Sequence, residues 1–80
     1  MFTVYVLRSL KNDKRYVGYT SKMPAERLRE HNAGSSSFTR RNGPFKMLHT
    51  EDFESKTDAI RREKFLKSGQ GGKWLDILHL

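Results

Sequence analysis

Apolar and polar residues alternate along the first part of the chain in the manner of two β-strands. Phe2 to Arg8 is rich in β-branched and aromatic residues, and a second run of the same character covers Arg15 to Thr20. The turn residues Asn12 and Asp13 separate the two runs, so we expect an antiparallel hairpin. Because side chains alternate between the faces of a strand, the first strand divides into two sets: Phe2, Val4 and Val6 against Thr3, Tyr5 and Leu7.

The middle of the chain predicts a helix, a loop and a third strand. Pro24 at a first helical position and the stop signal from Asn32 to Gly34 bound a helix over about Pro24 to Asn32. Residues 34–44 are rich in turn-forming residues and basic at their centre, which predicts a loop. Phe45 to Phe53 then has the composition of a strand.

Two further helices are predicted near the C-terminus. The first runs from Ser55 to about Ser68 and opens with a capping box formed by Ser55 and Asp58. A glycine-rich joint at residues 69–72 leads into a short amphipathic helix over Trp74 to Leu78. The order ββαβαα, with helices packed on antiparallel strands, predicts an α+β fold. Without an internal repeat, residues 1–80 are expected to form a single domain.

The composition is that of a soluble, basic protein without cysteine. Apolar residues make up 35% and charged residues 31% of the 80 positions, and the net charge is +7. Such an excess attracts polyanions, with nucleic acid the first candidate, although it can also serve solubility alone. No segment approaches the roughly 20 apolar residues that span a bilayer, and the N-terminal apolar run is too short for a signal peptide. We therefore expect a cytoplasmic protein that does not bind membranes.

Glu63 interrupts the apolar pattern of the helix predicted over Ser55 to about Ser68. Residues turn by about 100° each along a helix, which places Glu63 within the apolar arc between Leu66 and Ile60. A buried carboxylate without a partner is costly, so it requires a cation. A salt bridge to one of the many basic residues would satisfy it, and so would a metal ion at a catalytic site.

Tyr5 and Tyr16 lie on facing strands of the predicted hairpin, so their hydroxyls can converge on one face of the sheet. Core packing explains such tyrosines equally well. Gly18 weakens its strand, which indicates either a bulge or a group that approaches the backbone there. Arg27 and His31 share one face of the first helix, where a solvated polar edge is the simpler interpretation and a phosphate clamp with a proton carrier the alternative.

Together these residue types fit phosphodiester cleavage. That reaction needs a group that activates water, a positive clamp on the phosphoryl oxygens, a metal, and stabilisation of the leaving oxygen. Other chemistries fit poorly, because the chain contains neither a G-x-x-x-x-G-K-[ST] phosphate loop nor a G-x-S-x-G elbow. The three histidines also lack the spacing of a zinc site.

Four blocks of the sequence resemble the GIY-YIG nuclease family. Thr3-Val4-Tyr5 and Tyr16-Val17-Gly18 stand where the family carries Gly-Ile-Tyr and Tyr-Ile-Gly. Residues 27–34 resemble its R-L-x-x-H-N-x-G helix, and residues 59–67 resemble its A-x-x-x-E-x-x-L-K helix. The blocks follow the family's order, and the likeness is greatest to its short stand-alone bacterial members. The same domain occurs in the excinuclease C subunit and in some homing and restriction endonucleases.

The resemblance implies a three-stranded antiparallel sheet flanked by helices, with the site on one face of the sheet. It implies that Glu63 holds a single divalent cation, Mg²⁺ with Mn²⁺ as a substitute, mostly through water molecules. Arg27 would bind the scissile phosphate, while Tyr5 and Tyr16 would bind the phosphate and the attacking water, one of them as general base. His31 would be an auxiliary proton carrier or phosphate contact. A tyrosine is a weak base at neutral pH, so we expect Arg27 and the metal to lower its pKa.

Two hypotheses follow from this likeness. The protein is either an active DNA endonuclease, acting in DNA repair or processing, or a non-catalytic DNA-binding or adaptor module that retains the fold. A purely structural interaction module would explain neither Glu63 nor the positive charge. DNA would be held through its backbone with low sequence specificity, and a partner protein or a homodimer would supply targeting. The candidate DNA contacts are Arg8, Lys11, Lys14, Arg15, Arg29, Arg40, Arg41 and Lys46.

Overall fold

A computed structural model describes all residues from 1 to 80 as a three-stranded antiparallel sheet flanked by helices. The strands are β1 (Phe2–Ser9), β2 (Arg15–Thr20) and β3 (Phe45–Phe53). The helices are α1 (Pro24–Asn32), α2 (Ser37–Asn42), α3 (Lys56–Lys67) and α4 (Gly69–Ile77). The predicted α+β class and the order ββαβαα are confirmed for the elements they name, and α2 is a short addition to them. None of these helices has the length and apolar character required to cross a bilayer.

The central strand β1 pairs with both other strands, giving the sheet order β2-β1-β3. Its two faces serve separate cores, as the alternation of its residues predicts. Val4 and Val6 pack with Ala59 and Leu66 of α3 and with Leu75 of α4. The opposite face carries Tyr5 and Leu7, which cluster with Phe45 of β3 and with residues of α1. One side of the sheet is therefore centred on aliphatic residues, and the other contains Tyr5 and Tyr16.

The segment predicted as a loop, residues 34–44, contains the helix α2. Ser36 and Thr39 form a complete capping box at its start, in which each side chain accepts a hydrogen bond from the other residue's backbone N–H. The prediction of a continuous loop was wrong because serine and glycine dominate the segment's composition. The serine that suggested a turn is the residue that satisfies the first backbone donors of the helix.

The glycine-rich segment after α3 is also helical and not a joint. Ser68 ends α3 and caps α4, where its hydroxyl accepts a hydrogen bond from the Gly71 backbone at 3.2 Å. A Cβ atom at Gly71 would lie 1.9 Å from the carbonyl oxygen of Phe65, so this glycine permits the close approach of α4 to α3. At the start of α3, only the Ser55 half of the predicted capping box forms, with the Asp58 backbone as donor at 3.4 Å.

A polar network fastens α3 and α4 to β3. Arg62 donates to the two carboxylate oxygens of Glu51 at 2.7 and 3.1 Å, and its guanidinium lies 4.7 Å from the centre of the Trp74 ring. His49 pairs with Glu51 at 2.7 Å and meets the Trp74 ring edge-on. Burial alone would raise the pKa of Glu51, but the hydrogen bonds from Arg62 and His49 outweigh it, so that pKa lies below its ordinary value.

Candidate active site

Tyr5, Tyr16 and His31 form a contiguous cluster between the sheet and α1. The tyrosine rings lie 6.4 Å apart at an angle of 20°, and the Tyr16 and His31 rings meet edge-on at 4.8 Å. A hydrogen bond of 2.8 Å joins the Tyr5 hydroxyl to Nε2 of His31. The hairpin register produces this arrangement, because it sets Tyr5 opposite Gly18 and Leu7 opposite Tyr16. Both tyrosines therefore project from the same face of the sheet.

Gly18 leaves room for the Tyr5 hydroxyl. A Cβ atom at residue 18 would lie 2.5 Å from the Tyr5 hydroxyl oxygen and 2.8 Å from the adjacent ring carbon. The register between β1 and β2 continues without a shift through this position. Of the two interpretations of this glycine, the close approach of another group is therefore the one the structure supports. The approaching group is the side chain of Tyr5 itself.

His31 is buried, with only 1% of its surface exposed. The simpler interpretation from the helix pattern, a solvated polar edge, was therefore wrong for this residue. Burial lowers the pKa of His31 and the charge of Arg27 lowers it further, while the Glu30 carboxylate opposes them only in part. The ring is thus neutral at neutral pH, and its buried Nδ1 atom has no hydrogen-bond partner within the protein.

Arg27 lies on α1 beside the Tyr5 hydroxyl. Its side chain is 30% exposed, and it donates to Glu30 at 2.7 Å. Glu30 also binds Lys22, so the carboxylate holds Arg27 in place while leaving part of the guanidinium free. Burial raises the pKa of Tyr5, and hydrogen bonding and charge from Arg27 counteract it only in part. The expected lowering of the tyrosine pKa was thus wrong for Tyr5 in the protein alone, because desolvation outweighs the neighbouring cation.

Glu63 on α3 points inward as its position in the helix predicts. Its side chain is only 16% exposed, and its negative charge contributes to the raised pKa of Tyr5. Lys67, one turn along the same helix, donates to it at 3.2 Å. The Lys67 side chain is itself 54% exposed, and such i,i+4 pairs contribute only about 0.3–0.5 kcal/mol. Both interpretations of Glu63 therefore retain support, since the ion pair exists and the carboxylate also acts on the tyrosine site.

The donor set around Glu63 fits a hydrated magnesium ion. Nowhere in the chain do three or more histidine, cysteine, aspartate or glutamate side chains gather as metal ligands. Mg²⁺ needs only one or two carboxylates, because it retains several of its water molecules. A single half-buried carboxylate with one mobile lysine partner meets that requirement, since the lysine can move away when a cation arrives.

The predicted DNA contacts separate into free and occupied side chains. Arg15 is occupied, because its guanidinium binds Asp76 at 2.6 Å and the Leu80 carbonyl at 3.1 Å, which fastens the end of the chain to β2. We therefore remove it from the set. Arg8 is half-buried and donates to the Asp13 carbonyl at 3.3 Å. Lys11 is exposed but donates to the Arg41 carbonyl at 3.1 Å. The remaining candidates are all exposed: Lys14, Arg29, Arg40, Arg41 and Lys46.

Two residues near the site escaped the sequence analysis. Phe38, on α2, packs against the Tyr16 ring at 5.3 Å, and Glu30 anchors Arg27. The prediction of a loop concealed Phe38, although it is the only aromatic residue in a serine-rich segment. The spacing of Glu30 from Arg27, three residues on the same helix, was the available signal for the ion pair.

The candidate site combines a tyrosine pair on adjacent antiparallel strands with an arginine and a histidine from the next helix and a glutamate from a later helix. This arrangement is that of the GIY-YIG class of domain. The family model described as the GIY-YIG catalytic domain matches residues 1–72. The chain belongs to this family.

Similar proteins come from archaea and bacteria. A UPF0213 protein of Natronomonas pharaonis is 42% identical over 66 residues, which cover 81% of this chain and 75% of the relative. One from Halobacterium salinarum is 41% identical over 68 residues, covering 84% and 86%. The solution NMR structure of a UPF0213 protein from Bacillus halodurans superimposes with a TM-score of 0.58 at 34% identity, covering 98% of this chain and 85% of that one.

Proposed function

We propose that the protein is a metal-dependent endonuclease that hydrolyses DNA phosphodiester bonds. The observation that carries this proposal is the environment of one hydroxyl group. The Tyr5 hydroxyl is hydrogen-bonded to His31 and lies beside Arg27. The charge of Glu63 makes a small contribution to the pKa of this hydroxyl. A histidine able to accept a proton and an arginine able to bind phosphate lie against this hydroxyl, and a carboxylate able to bind a metal acts on it through its charge. Hydrolysis of a phosphodiester uses this combination of groups.

Arg27 is the residue that binds the scissile phosphate. Its guanidinium carries several N–H donors in a planar fork suited to phosphate oxygens, and Glu30 occupies only part of that fork. As the Glu30–Lys22 pair fixes the arginine before substrate arrives, little side-chain freedom is lost when the phosphate binds. Tyr16, at the mouth of the same cluster, supplies a second hydroxyl for the phosphate or the attacking water.

Tyr5 and His31 form a path for the proton of the attacking water. With His31 protonated at Nδ1, its Nε2 atom accepts the Tyr5 proton while the Tyr5 oxygen takes a proton from water. The water oxygen then bonds to phosphorus, the bond to the leaving oxygen breaks, and that oxygen takes a proton from solvent. A neutral histidine makes this path workable, because the raised pKa of Tyr5 disfavours a free phenolate.

Glu63 is the residue that would hold the divalent cation, Mg²⁺ or Mn²⁺. When bound, such an ion supplies positive charge against the phosphoryl oxygens and the leaving oxygen. The Glu63 carboxylate is suited to this role because it is turned inward and its lysine partner is solvent-exposed. Burial is the main cause of the raised pKa of Tyr5, and a cation on the carboxylate would remove the smaller contribution that the charge of Glu63 makes to it.

DNA is the proposed substrate, bound through its phosphates and with low sequence specificity. The net charge of +7 and the exposed arginines of α1 and α2 favour a polyanion over a small phosphoester. We expect the reaction to serve DNA repair or processing in the cytoplasm, with a partner protein or a second copy of the chain for targeting.

One observation favours a second candidate function, a DNA-binding or adaptor module without catalysis. Burial keeps the Tyr5 hydroxyl protonated, and a protonated tyrosine is a hydrogen-bond donor and not a base. In this alternative the cluster of Tyr5, Tyr16 and Arg27 binds a DNA phosphate and releases it unchanged.

A nicking assay separates the two functions. Supercoiled, branched and single-stranded DNA is incubated with the protein in EDTA, Mg²⁺ or Mn²⁺, using wild type and the variants Glu63→Ala, Arg27→Ala and Tyr5→Phe. We expect metal-dependent cutting by wild type and a loss of about 100-fold or more in each variant, the size of effect typical for a group that stabilises a transition state. Single-stranded RNA serves as an additional substrate arm.

Arg61→Ala is the matched control, since Arg61 is an exposed arginine of α3 outside the proposed site. It should retain nearly full cutting, and thermal unfolding should show all variants folded. Salt-sensitive binding without cutting under either metal would favour the adaptor. Cutting that survives Glu63→Ala would contradict the assigned site.

A further inference from the structure

A row of aromatic rings leads from the buried tyrosine site to the protein surface. Tyr5 packs against Tyr16, and Tyr16 packs against both His31 and Phe38, at 4.8 and 5.3 Å between ring centres. Phe38 is the outermost ring and leaves 36% of its surface in contact with solvent. Phe45 supports it from below, with its ring nearly parallel at 6.2 Å. The catalytic centre thus continues outward into an exposed aromatic surface.

The helix that carries Phe38 is short but firmly held. At its start, the capping box of Ser36 and Thr39 satisfies backbone donors. At its end, the turn between β1 and β2 reaches across to it: Lys11 donates to the Arg41 carbonyl at 3.1 Å and Asn12 to the Asn42 side chain at 2.7 Å. Phe38 is therefore presented on a fixed support, and a ligand that packs against it does not have to order the segment first.

The surroundings of Phe38 are suited to the base of a nucleotide whose phosphate is bound at Arg27. Arg40 and Arg41 lie on the same helix, and both are exposed. Arg41, three residues after Phe38, shares its side of the helix. An exposed aromatic ring on one helix with exposed arginines, next to a proposed phosphate-binding centre, is the combination by which proteins hold unpaired nucleotides, with the base stacked and the backbone bound by charge.

We propose that Phe38 stacks against an unpaired base adjacent to the scissile phosphate, so that the preferred substrate is DNA with a single-stranded or extruded nucleotide at the cleavage point. This inference rests on the proposed function, since the phosphate bound by Arg27 positions the base. In intact duplex DNA both faces of each base are covered by the neighbouring bases. Phe38 can therefore stack against a base only when that base leaves the duplex stack. Branched, gapped or single-stranded DNA offers such a base at lower cost.

Binding without cleavage tests the stacking contact directly. Fluorescence anisotropy in EDTA compares a labelled single strand with its fully paired duplex for wild type, Phe38→Leu and Phe38→Trp. Leucine preserves the apolar contact with Tyr16 but removes the ring. We expect Phe38→Leu to weaken single-strand binding at least about fivefold, with duplex binding changed by less than about twofold. Phe38→Trp should bind the single strand as well as wild type or better.

The control variant is Phe53→Leu, a half-buried aromatic of β3 that packs with the opposite core. It should leave both affinities unchanged. Single-strand binding by Phe38→Leu equal to that of wild type, or an equal loss on both DNAs, would overturn the stacking proposal. A labelled strand made entirely of abasic nucleotides should bind wild type and Phe38→Leu alike.

The cleavage arm separates this inference from the proposed function. If wild type cuts DNA in Mg²⁺ and Phe38→Leu keeps the same ratio of single-strand to duplex cutting, the stacking proposal fails while the nuclease stands. If wild type cuts nothing and Phe38→Leu still loses single-strand binding, the nuclease fails and the stacking contact stands. We expect Phe38→Leu to lower that ratio at least about fivefold.

Discussion

The Tyr5 hydroxyl occupies the space that any side chain at residue 18 would fill. Gly18 therefore contributes to the site through the volume it leaves empty, which allows a buried phenol to reach over the edge strand to its polar neighbours. The sequence indicated that Gly18 was unusual because glycine is a poor strand residue. It could not indicate which group approaches, since that depends on the rotamer of a residue on another strand.

Replacing Gly18 by alanine should displace Tyr5. The added methyl group would lie 2.5 Å from the Tyr5 oxygen, so the ring must move or the strands must separate. We expect a loss of about 1–3 kcal/mol in the free energy of unfolding and the loss of metal-dependent nicking. Urea denaturation followed by circular dichroism measures the first, and the plasmid assay measures the second.

Gly72→Ala is the matched control for that substitution. No atom lies within 4 Å of a Cβ at this helical glycine, so alanine there should be neutral or stabilising by up to about 1 kcal/mol. A Gly18→Ala protein as stable and active as Gly72→Ala would show that Tyr5 does not need its present position.

For the candidate site residues, the sequence predicted the direction of one side chain but not the environments of the others. Helical periodicity placed Glu63 inward, and its low exposure agrees with that. The burial of His31 was not predictable, because a histidine at the edge of an amphipathic helix is buried only if the facing sheet presents a cavity. The pKa of Tyr5 depends on the balance between desolvation and Arg27, which requires coordinates.

The secondary-structure elements differ in how clearly the sequence predicts them. The strands and the helices α1 and α3 follow from alternation, from proline at a helix start, and from serine at a cap. The helix α2 has only six residues, too few for a periodic pattern to develop, and its contacts come from the distant β1–β2 turn. Glycines led to the prediction of a joint at residues 69–72, which form the first turn of α4, although Gly71 serves the packing of α4 against α3. Short helices fixed by tertiary contacts are where local patterns carry least information.

The capping box should control the stability of α2. The Ser36 hydroxyl accepts from the Thr39 backbone at 3.2 Å, so Ser36→Ala leaves that donor without a partner. We expect the free energy of local opening of α2 to fall by about 0.5–2 kcal/mol, measured as faster amide hydrogen exchange over residues 37–42. Ser35→Ala is the control, since the hydroxyl of this exposed neighbour takes no part in the cap. Equal exchange in both variants would contradict the role of the cap.

Across the whole molecule, the candidate site and the hydrophobic core share residues. Tyr5 and His31 are among the largest fully buried side chains, so the candidate site is also one of the two cores. The overall architecture could be predicted because β1 alternates regularly and each face requires a covering layer. The way in which α1 and α2 cover Tyr5 and Tyr16 could not be predicted, because it depends on packing between these helices and the sheet.

Folding stability should fall on acidification in two stages. The pKa of His31 is lowered from 6.5, so its contribution is complete above about pH 6.5 and is lost as the pH falls through its folded-state pKa. The pKa of Glu51 is lowered from 4.5, so its contribution is lost below about pH 4.5. The groups that face His31 are Tyr5 and Tyr16 from the sheet, with Arg27 and Glu30 on its own helix.

Urea denaturation between pH 7.5 and pH 3.5 measures both stages. His31→Gln should flatten the stability curve between pH 7.5 and 5.5, and Glu51→Gln should flatten it below about pH 4.5. Both variants are also expected to be less stable at pH 7.5. A wild-type curve that is level from pH 7.5 to 5.5 would contradict the buried, neutral state assigned to His31.

Trp74 is the only tryptophan of the chain, and it lies on α4 between His49 and the guanidinium of Arg62. Its indole is therefore a built-in optical reporter for the contact between the last helix and the third strand. Fluorescence follows the detachment of α4 without any attached dye. In a Tyr19→Phe variant, which keeps only Tyr5 and Tyr16, tyrosine absorbance follows the opposite side of the sheet. The two signals separate unfolding of the scaffold from rearrangement of the phenol cluster in one sample.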